Sequence, residues 1–224
     1  MIYSKLLGAG KTPLGDLVYL GQTVVDGTSS TSTINFSESC AANDLIVFLC
    51  ALETNTPVPS DTVFSINGSP ALTEVVAPNT SYTSNSSIYS TTGADLGGGT
   101  SFTARCTTSG GGSRARWSMN AFKIEGGASV IDSATVSASN GNGESVTVDF
   151  SSGYLLGVYY TGDDEQHNWS GVTNFYEVPH PDNNLSEGSY AYNDTPTTSS
   201  HTVSTSHTSQ TNSQGLQLCV VVYG

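Results

Sequence analysis

Apolar and polar positions along this chain form one pattern written twice. The first copy opens on Thr33-Ile34-Asn35-Phe36, the end of the alternating stretch 31–36, runs through the apolar segment 45–52 and then Ser87-Ile88-Tyr89, and ends on 117–124. The second opens on Val146-Thr147-Val148-Asp149-Phe150, runs through 154–160 and then Ser189-Tyr190-Ala191-Tyr192, and ends on 216–223. Alternation predicts half-buried strands, whereas unbroken apolar runs bounded by turn residues predict strands covered on one or both faces. The same reading places further strands at 21–25, 63–66, 72–76, 87–92, 101–107, 114–124, 131–137, 145–150, 155–160, 172–178 and 202–206. No run of ten or more residues carries a convincing 3.6-residue apolar period, so nearly all regular structure is expected to be β.

Punctuation refines this layout. Asn67-Gly68 suits the positive φ angles of a tight turn and predicts a hairpin joining 63–66 to 72–76. Arg114 and Arg116 alternate with Ala115 and Trp117, which predicts a strand with one charged and one apolar face. Gly126-Gly127 is the natural seam between halves 19–126 and 127–224. Residues 1–18 hold few apolar side chains between Gly8, Gly10, Pro13 and Gly15, and are expected to form an extended N-terminal arm. Two layouts fit: two small sandwiches side by side, or one sandwich to whose two sheets each half contributes. The second is favoured, because a half of roughly 90 residues has a thin core unless the two apolar sets are stacked face to face. The expected fold is all-β, an antiparallel, jelly-roll-like β-sandwich built from two similar halves over 19–224.

Composition narrows the function. Hydrophobic residues make up 36% and charged residues 11%, and Ser, Thr, Gly and Asn fill much of the remainder. Six basic residues stand against 19 acidic ones, and no Lys or Arg follows Lys123. A net charge of −13 repels phosphate backbones and anionic lipid, so neither nucleic acid nor membrane is expected as a partner. Its plainest role is solubility; the alternative is to discourage wrong contacts among copies in an assembly. Cys40, Cys50, Cys106 and Cys219 lack paired-ligand spacing, and three fall in expected strands where free thiols act as small buried hydrophobes. A disulfide between strands is the alternative. The N-terminus does not read as a signal peptide and no stretch is long enough to span a bilayer, so folding in a cytoplasm is expected.

Candidate chemistry is sparse. Gly8-Ala9-Gly10-Lys11-Thr12 mimics the end of a phosphate-binding loop, but Lys5 stands where that loop needs its first glycine and Pro13 follows. Asp163-Asp164-Glu165 and Asp182 lack any calcium-loop spacing, and His167, His180, His201 and His207 form no readable triad. No metal, cofactor or enzymatic activity is expected. The remaining constellation is aromatic: Tyr159, Tyr160, Trp169, Phe175, Tyr176, Tyr190 and Tyr192 gather near Asp163, Asp164, His167 and Asn168. Aromatic faces beside carboxylates and amides suit sugars, which makes Trp169, Tyr176, His167 and Asp164 candidate glycan contacts; the alternative is that the aromatics pack the core.

Four segments, 1–10, 63–73, 117–126 and 168–178, carry a likeness that extends over nearly the whole chain. With them the chain resembles a family of virion proteins encoded by tailed bacteriophages and prophages. That resemblance implies a β-sandwich or jelly-roll-like particle component and hands over no catalytic residues. The strongly acidic second half departs from it. The expected function is a non-enzymatic structural protein on the outside of the virion, made in the host cytoplasm, as a head decoration or a tail or fibre part. Expected partners are other virion proteins and sister copies in a homo-oligomer, with Tyr3, Leu6, Leu7 and Lys11 of the arm docking on the particle. A host-recognition module that binds surface glycans is the alternative.

Overall fold

The structure is a computed structural model that describes residues 14–54, 57, 62–67, 72–108, 114–179, 186–207 and 215–224, with backbone alone at 114–115, 162–165, 179 and 186–187. The arm residues Tyr3, Leu6, Leu7 and Lys11 lie outside this set. The first half forms β1 (Leu17–Asp26), β2 (Thr31–Asn35), β3 (Leu45–Thr54), β4 (Val63–Ile66), β5 (Thr73–Val76), β6 (Ser84–Thr92), β7 (Ser101–Thr107) and β8 (Arg114–Ile124). The second forms β9 (Val130–Ala138), β10 (Ser145–Val148), β11 (Tyr154–Glu165), β12 (Asn168–Ser170), β13 (Asn174–Pro179), β14 (Ser186–Asn193), β15 (His201–Ser206) and β16 (Leu216–Tyr223). The fold is all-β and antiparallel; the single helical turn among the described residues, α1 (Gly93–Leu96), is closed by a capping box between Thr92 and Asp95.

Each half builds its own pair of sheets. Strands β1-β8-β3-β6-β5 form one five-stranded sheet and β2-β7-β4 a three-stranded one; β9-β16-β11-β14-β13 and β10-β15-β12 repeat the same order, strand for strand. The pairs β1–β8, β2–β7 and β3–β6 are nested as in a hairpin rolled on itself, while β5 leaves β4 to pair with β6. In place of two sheets shared between halves, four sheets stack. Three buried clusters separate them: one within the first half, one within the second, and a middle one between the two five-stranded sheets.

This stacking explains the apolar runs. Side chains alternate across a strand, so Ile46, Phe48, Cys50 and Leu52 enter the first half's own core while Val47, Leu49 and Ala51 enter the middle layer. Likewise Leu216, Leu218, Val220 and Val222 face the second half's core, and Cys219, Val221 and Tyr223 face the middle. The thin core of each half was the reason to expect a single sandwich, and the middle layer supplies the missing burial. The seam turns through Gly126 and Gly127 at φ 71° and 86°, and buried Asp44 accepts the Gly126 N–H at 3.1 Å.

Two local expectations are corrected. β4 and β5 are not a hairpin, since β4 pairs with β7 and β5 with β6 in the other sheet. Asn67 does adopt φ 54°, but its N–H donates to the Thr103 carbonyl at 2.7 Å and its Oδ1 accepts the Thr103 N–H at 3.0 Å, which ties it to the β7 ladder. The charged face expected on β8 is not open to solvent at Arg116, which is buried like Trp117 because β8 is the second strand of a sheet covered on both sides; the Arg114 side chain lies outside the described residues.

Candidate ligand cleft beside a tyrosine ladder

The two five-stranded sheets meet at one margin through aromatic residues from both halves. Tyr190 and Tyr192, two apart on β14, point to one face, and Tyr176 on the edge strand β13 lies directly opposite Tyr190. Tyr19 comes from β1, the edge strand of the other sheet, just before a bulge between Tyr19 and Gly21. Four nearly parallel rings result. Tyr19 stacks on Tyr190 with centroids 5.7 Å apart, Tyr190 on Tyr176 at 5.4 Å, and Tyr176 on Tyr192 at 6.4 Å. Buried Phe122 sits edge-on beneath Tyr19, Tyr190 and Tyr192 at 5.2, 5.9 and 5.7 Å, which are favourable aromatic geometries.

The upper part of this ladder is wet. Tyr19 and Tyr176 are 39% and 48% exposed, while Tyr190 is buried. Burial, and then a hydrogen bond to the Tyr19 hydroxyl, push the Tyr190 phenol well above its ordinary range. Tyr19 is itself pushed up by burial, against the lowering effect of that bond. Burial and a bond to Tyr176 likewise raise Tyr192. All three phenols are therefore neutral at physiological pH and available as hydrogen-bonding groups.

Next to Tyr192 the surface opens into a cleft of about 390 Å³ lined by Asp16, Leu17, Val18, Tyr154, Tyr192 and Asp194. Tyr154 closes its floor by donating from its hydroxyl to the Gly15 carbonyl at 2.8 Å, which ties the start of the described chain to the second half. Burial, and then the negative charge of Asp16 with smaller contributions from Asp194 and Glu125, raise the Tyr154 phenol. Asp194 accepts the Thr195 hydroxyl at 3.2 Å. The cleft thus offers two carboxylates, aromatic faces and a short apolar wall, and no described side chain lining it is cationic.

Of the candidate glycan contacts, His167, Trp169 and Tyr176 do not assemble into one patch. His167 is buried: its Nδ1 lies 3.0 Å from Ser189 Oγ, and its backbone N–H donates to Glu177 Oε1 at 2.8 Å. Trp169 donates from Nε1 to the same Ser189 Oγ at 2.9 Å, and its ring covers Gly157, where an added Cβ would lie 3.2 Å away. Both belong to the core side of the second half, with Tyr159 edge-on to each. Tyr176 projects from the other face of that sheet, onto the ladder. Asp164 lies on β11 with its side chain outside the described residues.

Of the aromatic set, Tyr159 and Tyr160 are core residues, and Phe175 is 44% exposed. Sequence reasoning missed Asp16, Tyr19, Tyr154 and Asp194. The spacing Tyr190-x-Tyr192 was the one available signal, since it puts two phenols on one strand face. Among the described residues no three His, Cys, Asp or Glu side chains are grouped to hold a metal, and no helix is long and apolar enough to cross a membrane. None of the four cysteines forms a disulfide, and all are buried. No protein-family model matches the chain, and no curated protein sequence matches it either.

Proposed function

We propose that this protein is a non-enzymatic structural component on the outer surface of a tailed-phage particle, decorating the head or forming part of the tail or a fibre. The observation that carries the reading is the joining of two equivalent eight-stranded sandwiches through one buried middle layer, a frame that holds edges and loops in fixed positions. Three of the four segments that carry the virion-protein resemblance lie in that frame: 63–73 contains β4 and β5 begins at its end, 117–126 is most of β8, and 168–178 spans β12 and most of β13; the fourth, 1–10, lies outside the described residues. Its partners in this reading are other virion proteins and sister copies, with the N-terminal arm as the docking element. Antibody-labelled electron microscopy of intact, washed particles tests it. Regular labelling of the head, tail or fibre surface is expected, and absence from such particles overturns it.

A second reading is favoured by the cleft. The half-buried Tyr154 and Tyr192 rings beside two carboxylates, with the exposed Tyr176 ring stacked on Tyr192, suit a saccharide, whose C–H face lies on aromatic rings while its hydroxyls donate to acidic oxygens. In this reading the particle component also recognises a host-surface glycan. Tyr176→Ala is expected to abolish glycan-array binding while leaving the folded body intact; unchanged binding overturns it.

A further inference from the structure

We infer that the cleft between Asp16, Tyr154, Tyr192 and Asp194 selects ligands bearing an organic ammonium group, such as an amino sugar with a free amine, over neutral or anionic ligands of the same shape. The inference rests on the saccharide reading for the identity of the ligand, but the selection by charge stands on the cleft itself. Its lining combines two carboxylates from opposite halves with two phenol rings and the apolar Leu17 and Val18. Asp16 lies just before β1 and Asp194 just after β14, so the middle-layer packing brings the two acids to one opening.

Electrostatics supplies the direction. Both acids act on the Tyr154 hydroxyl, so their fields overlap within the cleft. Lys123, opposite Val18 in the β1–β8 register, is buried and engaged with Glu38 at 2.5 Å and Glu125 at 3.1 Å. Beyond it the sequence has no Lys or Arg to neutralise the second half. An ammonium entering the cleft meets two carboxylates beside two neutral phenol rings, surroundings that favour a cation. An anion meets repulsion from both acids. A neutral sugar keeps its hydrogen bonds and stacking but lacks the charge interaction.

Titration calorimetry of the full chain at low ionic strength, with glucosamine, N-acetylglucosamine, glucuronate and choline as probes, separates the cases. Glucosamine is expected to bind about tenfold more tightly than N-acetylglucosamine, with glucuronate undetected. Asp194→Asn, which keeps an oxygen for Thr195, should remove most of that preference, and added salt should weaken the cationic probes while leaving N-acetylglucosamine unchanged. Equal binding of glucosamine and N-acetylglucosamine overturns the inference but leaves the saccharide reading standing. Binding of choline without glucosamine supports charge selection and overturns the saccharide reading. Failure of every probe overturns both. Asp16→Asn repeats the test from the other half, and retention of the full preference in both variants overturns the assignment to this cleft.

Discussion

Ser86 on β6 and Gln217 on β16 hold each other twice across the middle layer: the Ser86 N–H donates to Gln217 Oε1 at 3.1 Å, and the Ser86 hydroxyl donates to the Gln217 carbonyl at 3.0 Å. Gln217 Oε1 also accepts the Asn79 N–H at 2.9 Å, and its Nε2 donates to the Ala77 carbonyl and to Thr135 Oγ1. Every polar atom of this buried side chain is engaged, mostly with the opposite half. The repeated strand order makes the other side of the layer a comparison. Ala51 pairs with Ser118 in the register at which Tyr160 pairs with Gln217, so Ser118 is the counterpart of Gln217. There the polar clamp gives way to aromatic packing, with the Tyr160 ring lying on Gly188, where a Cβ would come within 2.6 Å of it.

Gln217→Ala would leave the buried Ser86 N–H and the half-buried Asn79 N–H without this acceptor. Urea unfolding is expected to show a loss of about 3 kcal/mol, against about 1 kcal/mol for Ser86→Ala, which removes one hydroxyl donor. Equal, small losses would mean that the halves are held by apolar contact alone.

Trp169 and Tyr176 should respond differently to truncation. Trp169→Ala opens a cavity above Gly157 and removes a donor to Ser189, so a loss of about 3 kcal/mol is expected. Tyr176→Ala removes one half-exposed ring from the ladder and should cost about 1 kcal/mol. Thermal unfolding of the two variants checks the contrast, and the reverse order would place Tyr176 in the core.

The buried thiols should be inert. Burial pushes Cys40 up to about 11 and Cys219 up to about 12, and raises Cys50 well above its ordinary value, so the reactive thiolate is scarce at pH 8. A thiol-reactive chromophore is expected to label the native protein slowly and all four cysteines after denaturation. Rapid native labelling would contradict the burial.

Alkali should unfold the protein through its phenols. Burial raises Tyr89, Tyr190 and Tyr223, so each binds its proton more tightly when folded than when unfolded. Their contribution to stability is complete below the unfolded phenol value of about 10 and is lost as pH rises through the folded values. The midpoint of thermal unfolding is expected to fall above about pH 10, with tyrosinate absorbance appearing alongside loss of β-sheet ellipticity. Full phenol ionisation near pH 10 with the sheets intact would refute this.

Gly153 precedes β11 at φ 87°, and a Cβ there would lie 1.7 Å from the Tyr223 carbonyl oxygen. Gly153→Ala therefore meets both backbone strain and a collision with a central strand. A loss above about 2 kcal/mol in urea unfolding is expected, and a neutral effect would require β16 to shift.

Most strands were legible because their signals are local. The segments 63–66, 101–107, 114–124 and 216–223 coincide with β4, β7, β8 and β16. β12 was missed because Asn168-Trp169-Ser170 is too short to show a period, and only its pairing with β15 makes it a strand. The buried character of β6 was hidden for another reason. Serine reads as polar, yet small hydroxyls let two sheets approach, and Ser86 spends its hydroxyl on Gln217.

Of the candidate site, local sequence marks Tyr176 and groups Tyr190 and Tyr192 with it, whereas Asp16 and Tyr19 lie far in sequence from Tyr154 and Asp194 and are joined to them only by packing. Local pattern alone determined that the chain is β-rich, twofold in layout, divided at Gly126-Gly127 and acidic throughout its second half, because periodicity, turn residues and charge are properties of neighbours in sequence. Tertiary structure alone decided that there are four sheets and not two, and which tyrosines face water. An apolar run reports that a strand is covered, but the partner that covers each face is set by packing between residues distant along the chain.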